Sequence, residues 1–177
     1  PWGRVLDIGA GNGFTARRLN SNRRSVIPIE PARGMIDRRR RLKWVRGIAQ
    51  TLPFRNESFQ AAYATWAYFF PDFGYGQAGL EEVDRVVEST GPFIVVDNAG
   101  DDEFCTLFKN KIAGDAGWWN SQGYTVRYIK TSFRFDSLLE SERLISAYWD
   151  GNGRRRGSRI ALEYSYNVAL YIRHPSV

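Results

Sequence analysis

Arg4-Val5-Leu6-Asp7-Ile8-Gly9-Ala10-Gly11-Asn12-Gly13 is the stretch on which the reading of this chain turns. Apolar residues run into an acid, three glycines follow at alternate positions, and Phe14-Thr15-Ala16-Arg17-Arg18-Leu19 can open a helix. That order predicts a strand, a tight glycine turn and a helix N-terminus. Glycine has no Cβ and adopts positive φ freely, so three in one turn let a ligand approach the backbone closely.

The spacing narrows the ligand. A dinucleotide fingerprint needs its third glycine three residues after the second, at position 14, where this chain has Phe. The pattern here, Asp7-x-Gly9-x-Gly11-x-Gly13, resembles motif I of the class I methyltransferases that use S-adenosylmethionine. In that family the turn packs against the methionine half of the cofactor, whose ammonium and sulfonium suit a neighbouring acid; a pyrophosphate would be repelled. The alternative is a glycine turn that binds nothing.

Further along, Ser25-Val26-Ile27-Pro28-Ile29-Glu30 is mostly apolar, as in a strand buried on both faces, and ends in an acid. A carboxylate about 20 residues beyond the turn is placed to accept both ribose hydroxyls. Glu30 matches motif II of the family; a surface acid before Pro31 is the alternative. A helix is expected from Pro31 to near Lys43, carrying Arg38-Arg39-Arg40-Arg41, and then a short third strand at Trp44-Val45-Arg46. The run from Gly47 to Phe54, closed by Leu52-Pro53-Phe54 and followed by a turn and Phe59, resembles the Gly-Asp-Ala-Glu and Leu-Pro-Phe region of the family. Ile48 stands where the family has an acid for the adenine amino group, and Gln60 where it has Asp after Phe. Adenine is therefore expected against Ile48 and the backbone near Ala49, with Gln50 as a polar partner.

Gln60 to Thr65 reads as the fourth strand, with the aromatic run Trp66 to Phe73 at its C-terminal end, where ligands of open α/β sheets sit. Trp66 and Tyr68 are the candidates to face the sulfonium or an apolar acceptor, and Phe69 and Phe70 are expected to pack. A helix over 79–87 turns Leu80, Val83 and Val87 inward, and Pro92 to Asp97 is an apolar fifth strand. Asp101, Asp102 and Glu103 are expected to cap a helix from Phe104 to Ala113, with orientation of a basic acceptor as the alternative. A sixth strand over Tyr124–Phe135, a helix over Ser137–Tyr148 with Leu138, Leu139, Leu144 and Ile145 inward, and a final strand over Ile160–Arg173 complete the chain.

The resemblance implies a single Rossmann-like, doubly wound α/β domain over residues 1–177. Its seven-stranded sheet would be mostly parallel with an antiparallel last strand, and the helices that cap the cofactor would lie upstream of Pro1. It implies S-adenosylmethionine bound by Asp7, Gly9, Ala10, Gly11, Gly13, Glu30, Pro31, Ile48, Ala49, Gln50, Thr65 and Trp66, with Tyr68 and Asn98 in the substrate pocket.

The totals fit an enzyme of this kind. The chain has 177 residues, 43% of them hydrophobic and 15% aromatic, with no apolar run near the roughly 20 residues of a membrane span. Cys105 is the sole cysteine, which excludes an internal disulfide and a cysteine-based zinc site, fits a cytoplasmic setting, and reads as a buried small residue rather than a nucleophile. The net charge of +6 comes largely from Arg, in the runs 38–41 and 154–156, neither of which has interleaved aromatics. A solvated face is the expectation for both, and a nucleic-acid groove the alternative.

Methyl transfer from a sulfonium is an in-line displacement with an activated donor, so alignment and water exclusion can supply most of the acceleration. No general base is assigned, and His174, the single histidine, lies at the far end of the last strand. A small-molecule acceptor is expected. The alternatives are an RNA or DNA methyltransferase, although the usual base-methylation signatures are absent after the fourth strand, and a non-catalytic methyltransferase-like binding domain.

Overall fold

The computed structural model describes residues 2–67, 75–108, 114–149 and 159–173. Strands β1 (Gly3–Ile8), β2 (Arg24–Ile29), β3 (Ala61–Thr65) and β4 (Phe93–Asn98) are parallel, and two further strands, β5 (Thr125–Arg134) and β6 (Glu163–Arg173), complete one sheet. The order is β2-β1-β3-β4-β6-β5, with β6 antiparallel to both of its neighbours. The helices are α1 (Phe14–Leu19), α2 (Tyr75–Val86), α3 (Glu103–Thr106), α4 (Ala116–Ser121) and α5 (Leu138–Trp149). Among the described residues no helix is long and apolar enough to cross a membrane.

The central strands are apolar because both sides are covered. Leu6, Ile8, Ile29 and Val95 pack on one face with Leu80, Val83 and Val86 of α2. Val5, Val26, Ala61 and Tyr63 lie on the other face with Ala16 of α1. Beyond β4 a separate cluster joins Phe104, Phe108, Ile145, Tyr164 and Tyr166.

Among the described residues the sheet has six strands, and the expected seventh is not among them. The expected third strand is a single bridge between Ile29 and Val45. Val45 donates to the Pro28 carbonyl at 2.9 Å and accepts from Glu30 N at 3.1 Å. Extending this parallel ladder one step back would need an N–H from Pro28, which proline lacks, so the edge stops at Val45. The helix expected from Pro31 to Lys43 is also absent. Two 3-10 turns, Arg33–Met35 and Arg38–Arg40, take its place, and Arg41 ends the second in the left-handed region at φ 52°. Four adjacent arginines repel one another on any helix face, and Gly34 weakens the segment further.

Other boundaries shift less. The last strand starts at Glu163 rather than Ile160, and the capped helix after β4 is short, with Asp102 accepting from Cys105 N at 2.7 Å. Residues 109–113 of that expected helix lie outside the described residues, as do Tyr68, Phe69, Phe70, Arg154–Arg156 and His174. In α5, Ile145 is buried, but Leu138 and Leu139 are 53% and 76% exposed, so the inward face is narrower than expected. Helix α4 was not anticipated; it seats Trp119, stacked on Tyr171 with centroids 4.9 Å apart.

One polar contact explains two sequence patterns at once. Arg85 of α2 donates to the carbonyls of Leu52 at 2.9 Å and Phe54 at 2.7 Å while pairing with Glu82 at 2.7 Å. Glu82 in turn accepts from Leu52 N at 2.6 Å. The Glu82–Arg85 pair of the helix therefore clamps the Leu52-Pro53-Phe54 loop. Arg85→Ala would strip both carbonyls of a charged donor, and a loss on the order of 2 kcal/mol in chemical denaturation is expected.

Candidate active site

Each glycine of the turn has a different reason to be glycine. Gly9, Gly11 and Gly13 have φ of 68°, 55° and 76°, which favours residues without a Cβ. A Cβ at Gly9 would lie 2.4 Å from Ala67 Cβ, and one at Gly13 2.7 Å from the Trp44 ring, so both are packing requirements. A Cβ at Gly11 would meet only Met35 Cε, at an ordinary 3.7 Å. Gly11 is therefore the open position of the three.

The turn spends its own donors. Gly9 N and Ala10 N both donate to the Ile29 carbonyl at 3.0 Å, and Gly13 N donates to the Ala10 carbonyl at 2.8 Å. Gly11 N donates to Glu30 Oε2 at 2.8 Å, and Ala32 N to Glu30 Oε1 at 2.9 Å. A phosphate would find these four turn N–H groups already taken, in agreement with the sequence argument against a dinucleotide. Glu30 is 7% exposed, and each of its oxygens keeps a second acceptor site.

Asp7 lies beneath the turn with no exposed surface. Strand register puts it on the same face as Tyr63, yet neither its two oxygens nor the Tyr63 hydroxyl completes a hydrogen bond among the described residues. Burial pushes the Asp7 carboxyl up to about 7; the nearby Tyr63 hydroxyl opposes the rise and the Glu30 charge adds to it. Burial in turn drives the Tyr63 hydroxyl well above its ordinary range.

At the C-terminal ends of β3 and β4 a polar cluster forms. Trp66 holds φ 49°, a conformation that costs a non-glycine residue about 1–2 kcal/mol. Its indole N–H lies 3.1 Å from Asn98 Oδ1 and 3.0 Å from the Tyr166 oxygen, and the Tyr166 hydroxyl donates to the same Asn98 oxygen. Trp66 is 42% exposed, so a strained, hydrogen-bonded indole faces outward beside Ala67, which packs over Gly9. Asp97 precedes Asn98 and is buried on the opposite face of β4. Its Oδ1 accepts from Asn98 N at 2.7 Å, Oδ2 has no partner among the described residues, and burial pushes it up to about 7.

The structure thus brings Gly9, Ala10, Gly11, Gly13, Glu30 and Pro31 together, and sets Thr65, Trp66 and Asn98 at the neighbouring strand ends. Ile48 is 48% exposed in a turn closed by Thr51 N donating to the Ile48 carbonyl at 3.3 Å; Ala49 and Gln50 follow, half-buried. Gln60 has a separate task. Its Oε1 accepts from Arg4 N at 2.7 Å and its amide donates to Glu88 at 2.5 Å, at the other end of the sheet, so the departure at this position does not touch the site. Cys105 is half-buried and its thiol is pushed up to about 12, chiefly by burial, which makes it a poor nucleophile. Sequence reasoning missed Asp97 and Tyr166. Asp97 ends an apolar strand as Glu30 follows one, and Tyr164 and Tyr166 alternate on β6, so both signals were present.

A family model described as a methyltransferase domain matches residues 6–95, from β1 through the Leu52-Pro53-Phe54 loop into β4. The chain belongs to the class I S-adenosylmethionine-dependent methyltransferases. This methyltransferase is 33% identical over 97 residues to a demethylmenaquinone methyltransferase of Corynebacterium kroppenstedtii, an alignment covering 54% of this chain and 42% of that one. It is 29% identical over 119 residues to the uncharacterized methyltransferase YcgJ of Bacillus subtilis, covering 62% and 46%. The matched region spans less than half the length of these curated relatives. Among solved structures, the YcgJ protein superposes with a TM-score of 0.63 at 18% identity, covering 98% of this chain and 92% of that one. A Bacillus halodurans protein superposes with a TM-score of 0.66 at 16% identity, covering 98% and 93%. These likenesses establish the shared fold.

The two buried carboxyls carry a stability cost of known sign. Below the ordinary carboxylate value of 3.8 both folded and unfolded chains hold these protons and the groups contribute nothing. Between 3.8 and about 7 the unfolded chain sheds them first, so native stability falls as pH rises and levels off above that window. Each group accounts for up to about 4 kcal/mol. Asp97→Asn is expected to raise the denaturation midpoint at pH 8 while leaving it nearly unchanged at pH 4; equal midpoints for parent and variant at pH 8 would contradict this.

Proposed function

We propose that this chain, as a single domain, transfers a methyl group from S-adenosylmethionine to a small-molecule acceptor. The observation that carries the reading is the open backbone at Gly11, held beside a buried Glu30 whose two oxygens each retain an acceptor site. Gly9, Ala10, Gly11 and Gly13 would cradle the methionine portion, Glu30 and Pro31 the ribose, and Ile48, Ala49 and Gln50 the adenine. Asp7, whose two oxygens have no partner among the described residues and whose charged form burial disfavours, would be drawn toward its charged form by the cationic end of the cofactor above the turn. Thr65 and Trp66 would close the site at the end of β3.

When bound, the cofactor supplies an activated methyl on a sulfonium. The residues of this chain orient and exclude water, which is the larger part of such a displacement. Trp66, locked by Asn98 and Tyr166, would present an aromatic wall to positive charge, and Asn98, with Tyr68 expected beside it, would position the acceptor. An acceptor of small size is supported by the resemblance to demethylmenaquinone methyltransferase and by the aromatic lining of this end of the sheet. The cytoplasmic setting expected from the lone thiol belongs to the same reading.

Titration calorimetry of the full-length protein with S-adenosylmethionine tests it. Saturable binding is expected, weakened roughly 10- to 100-fold by Glu30→Gln, which puts an amide donor against a backbone N–H. Gly11→Val should abolish binding, both by filling the open position and by straining a backbone held at φ 55°. Absence of binding by the parent protein would favour a methyltransferase-like domain without turnover.

A further inference from the structure

The positive charge of this chain is not spread along it. Residues 1–46 hold 12 Lys and Arg against 3 Asp and Glu, whereas residues 47–177 hold 13 against 16. A general preference for arginine in the coding sequence would not produce that division. Of the three acids in the first segment, Asp7 and Glu30 are buried, and Asp37 is already paired with Arg39 at 2.8 Å and Arg40 at 3.5 Å. The remaining cations have no acidic neighbour among the described residues of this segment, and most are exposed.

The fold makes this segment one surface. Trp44 and Leu42 pack on the turn at Gly13, which holds the 38–41 run against the start of α1. Phe14, 53% exposed, lies under two guanidinium groups, Arg18 at 5.1 Å and Arg40 at 5.9 Å. At the far end of α1 the chain returns through Arg23 and Arg24 into β2, and Arg23 stacks on the exposed Trp2 at 4.6 Å. Neither Arg run has aromatics interleaved in the sequence. Tertiary structure brings Phe14 to Arg40, 26 residues further along the chain.

We propose that this edge, formed by α1, the start of β2 and the 38–41 turn, is a docking surface for single-stranded nucleic acid. An arginine stacked on a ring keeps its N–H edge free for phosphate, and exposed rings among cations are what unpaired bases stack on. A lipid surface fits less well. The exposed Phe14 ring is faced by two charged groups that would have to leave water with it. The surface flanks the strand-end site without including it, so it stands whatever the methyl acceptor is.

Fluorescence anisotropy of the full-length protein with a labelled single-stranded RNA of about 20 nucleotides, over a salt series, tests the proposal. Affinity is expected to fall log-linearly with salt, with a slope of about −3 or steeper. The triple variant Arg38→Gln, Arg39→Gln, Arg41→Gln should weaken binding at least about tenfold and reduce the slope by about 2, with an unchanged melting temperature. Phe14→Leu should weaken binding while keeping the slope. Salt-insensitive binding, RNA affinity unchanged by the triple variant, or binding to phosphatidylserine vesicles without binding to RNA overturns it.

Discussion

The carboxylate of Glu30 bridging Gly11 N and Ala32 N is the contact on which the candidate site depends. It ties the glycine turn after β1 to the end of β2, and with the Ile29 carbonyl accepting from Gly9 and Ala10 it fixes four backbone groups across two strands. Positive φ at three glycines is sustained because the strand beside them supplies the acceptors. Without that acceptor set the turn would have unsatisfied donors and no reason to hold its shape.

Around this contact the fold places its polar groups at a cost. Both oxygens of Asp7 and one of Asp97 are buried with no partner among the described residues, and Trp66 holds a left-handed backbone. A domain optimised for stability alone would have none of these. All three lie at or under the C-terminal ends of the parallel strands, the part of an open α/β sheet where ligands bind. The strain is therefore concentrated where the family resemblance also points. On the opposite side the Glu82–Arg85 clamp and the Gln60 hydrogen bonds are fully satisfied and carry the loop and strand geometry that the site needs.

Much of this was legible in the sequence. The strand, turn and helix around Gly9 to Gly13 and the acid at position 30 could be read directly, because local chemistry dictates them: glycines in a turn, and an apolar run ending in a carboxylate. The inward positions Leu80, Val83 and Val87 followed from helical periodicity and are buried. The loss of the third strand is not legible in its own residues, because it depends on a missing N–H in a neighbouring strand, at Pro28. Over 31–43 charge repulsion along the Arg run outweighs the length of the segment, and two 3-10 turns form instead of a helix. Tyr166 was overlooked because its partner Trp66 lies 100 positions away, and pairing across β6 is not a local signal.

The amino-acid order by itself determined the family, the glycine turn and the acid that holds it, since motif spacing acts over a few residues. Only the tertiary structure decided that Gly11 is the open glycine, that Asp7 is sealed beneath it, and that Phe14 lies beneath Arg18 and Arg40. Each of these depends on which distant side chain fills the adjacent space, and that is set by sheet register and packing rather than by neighbours in the chain.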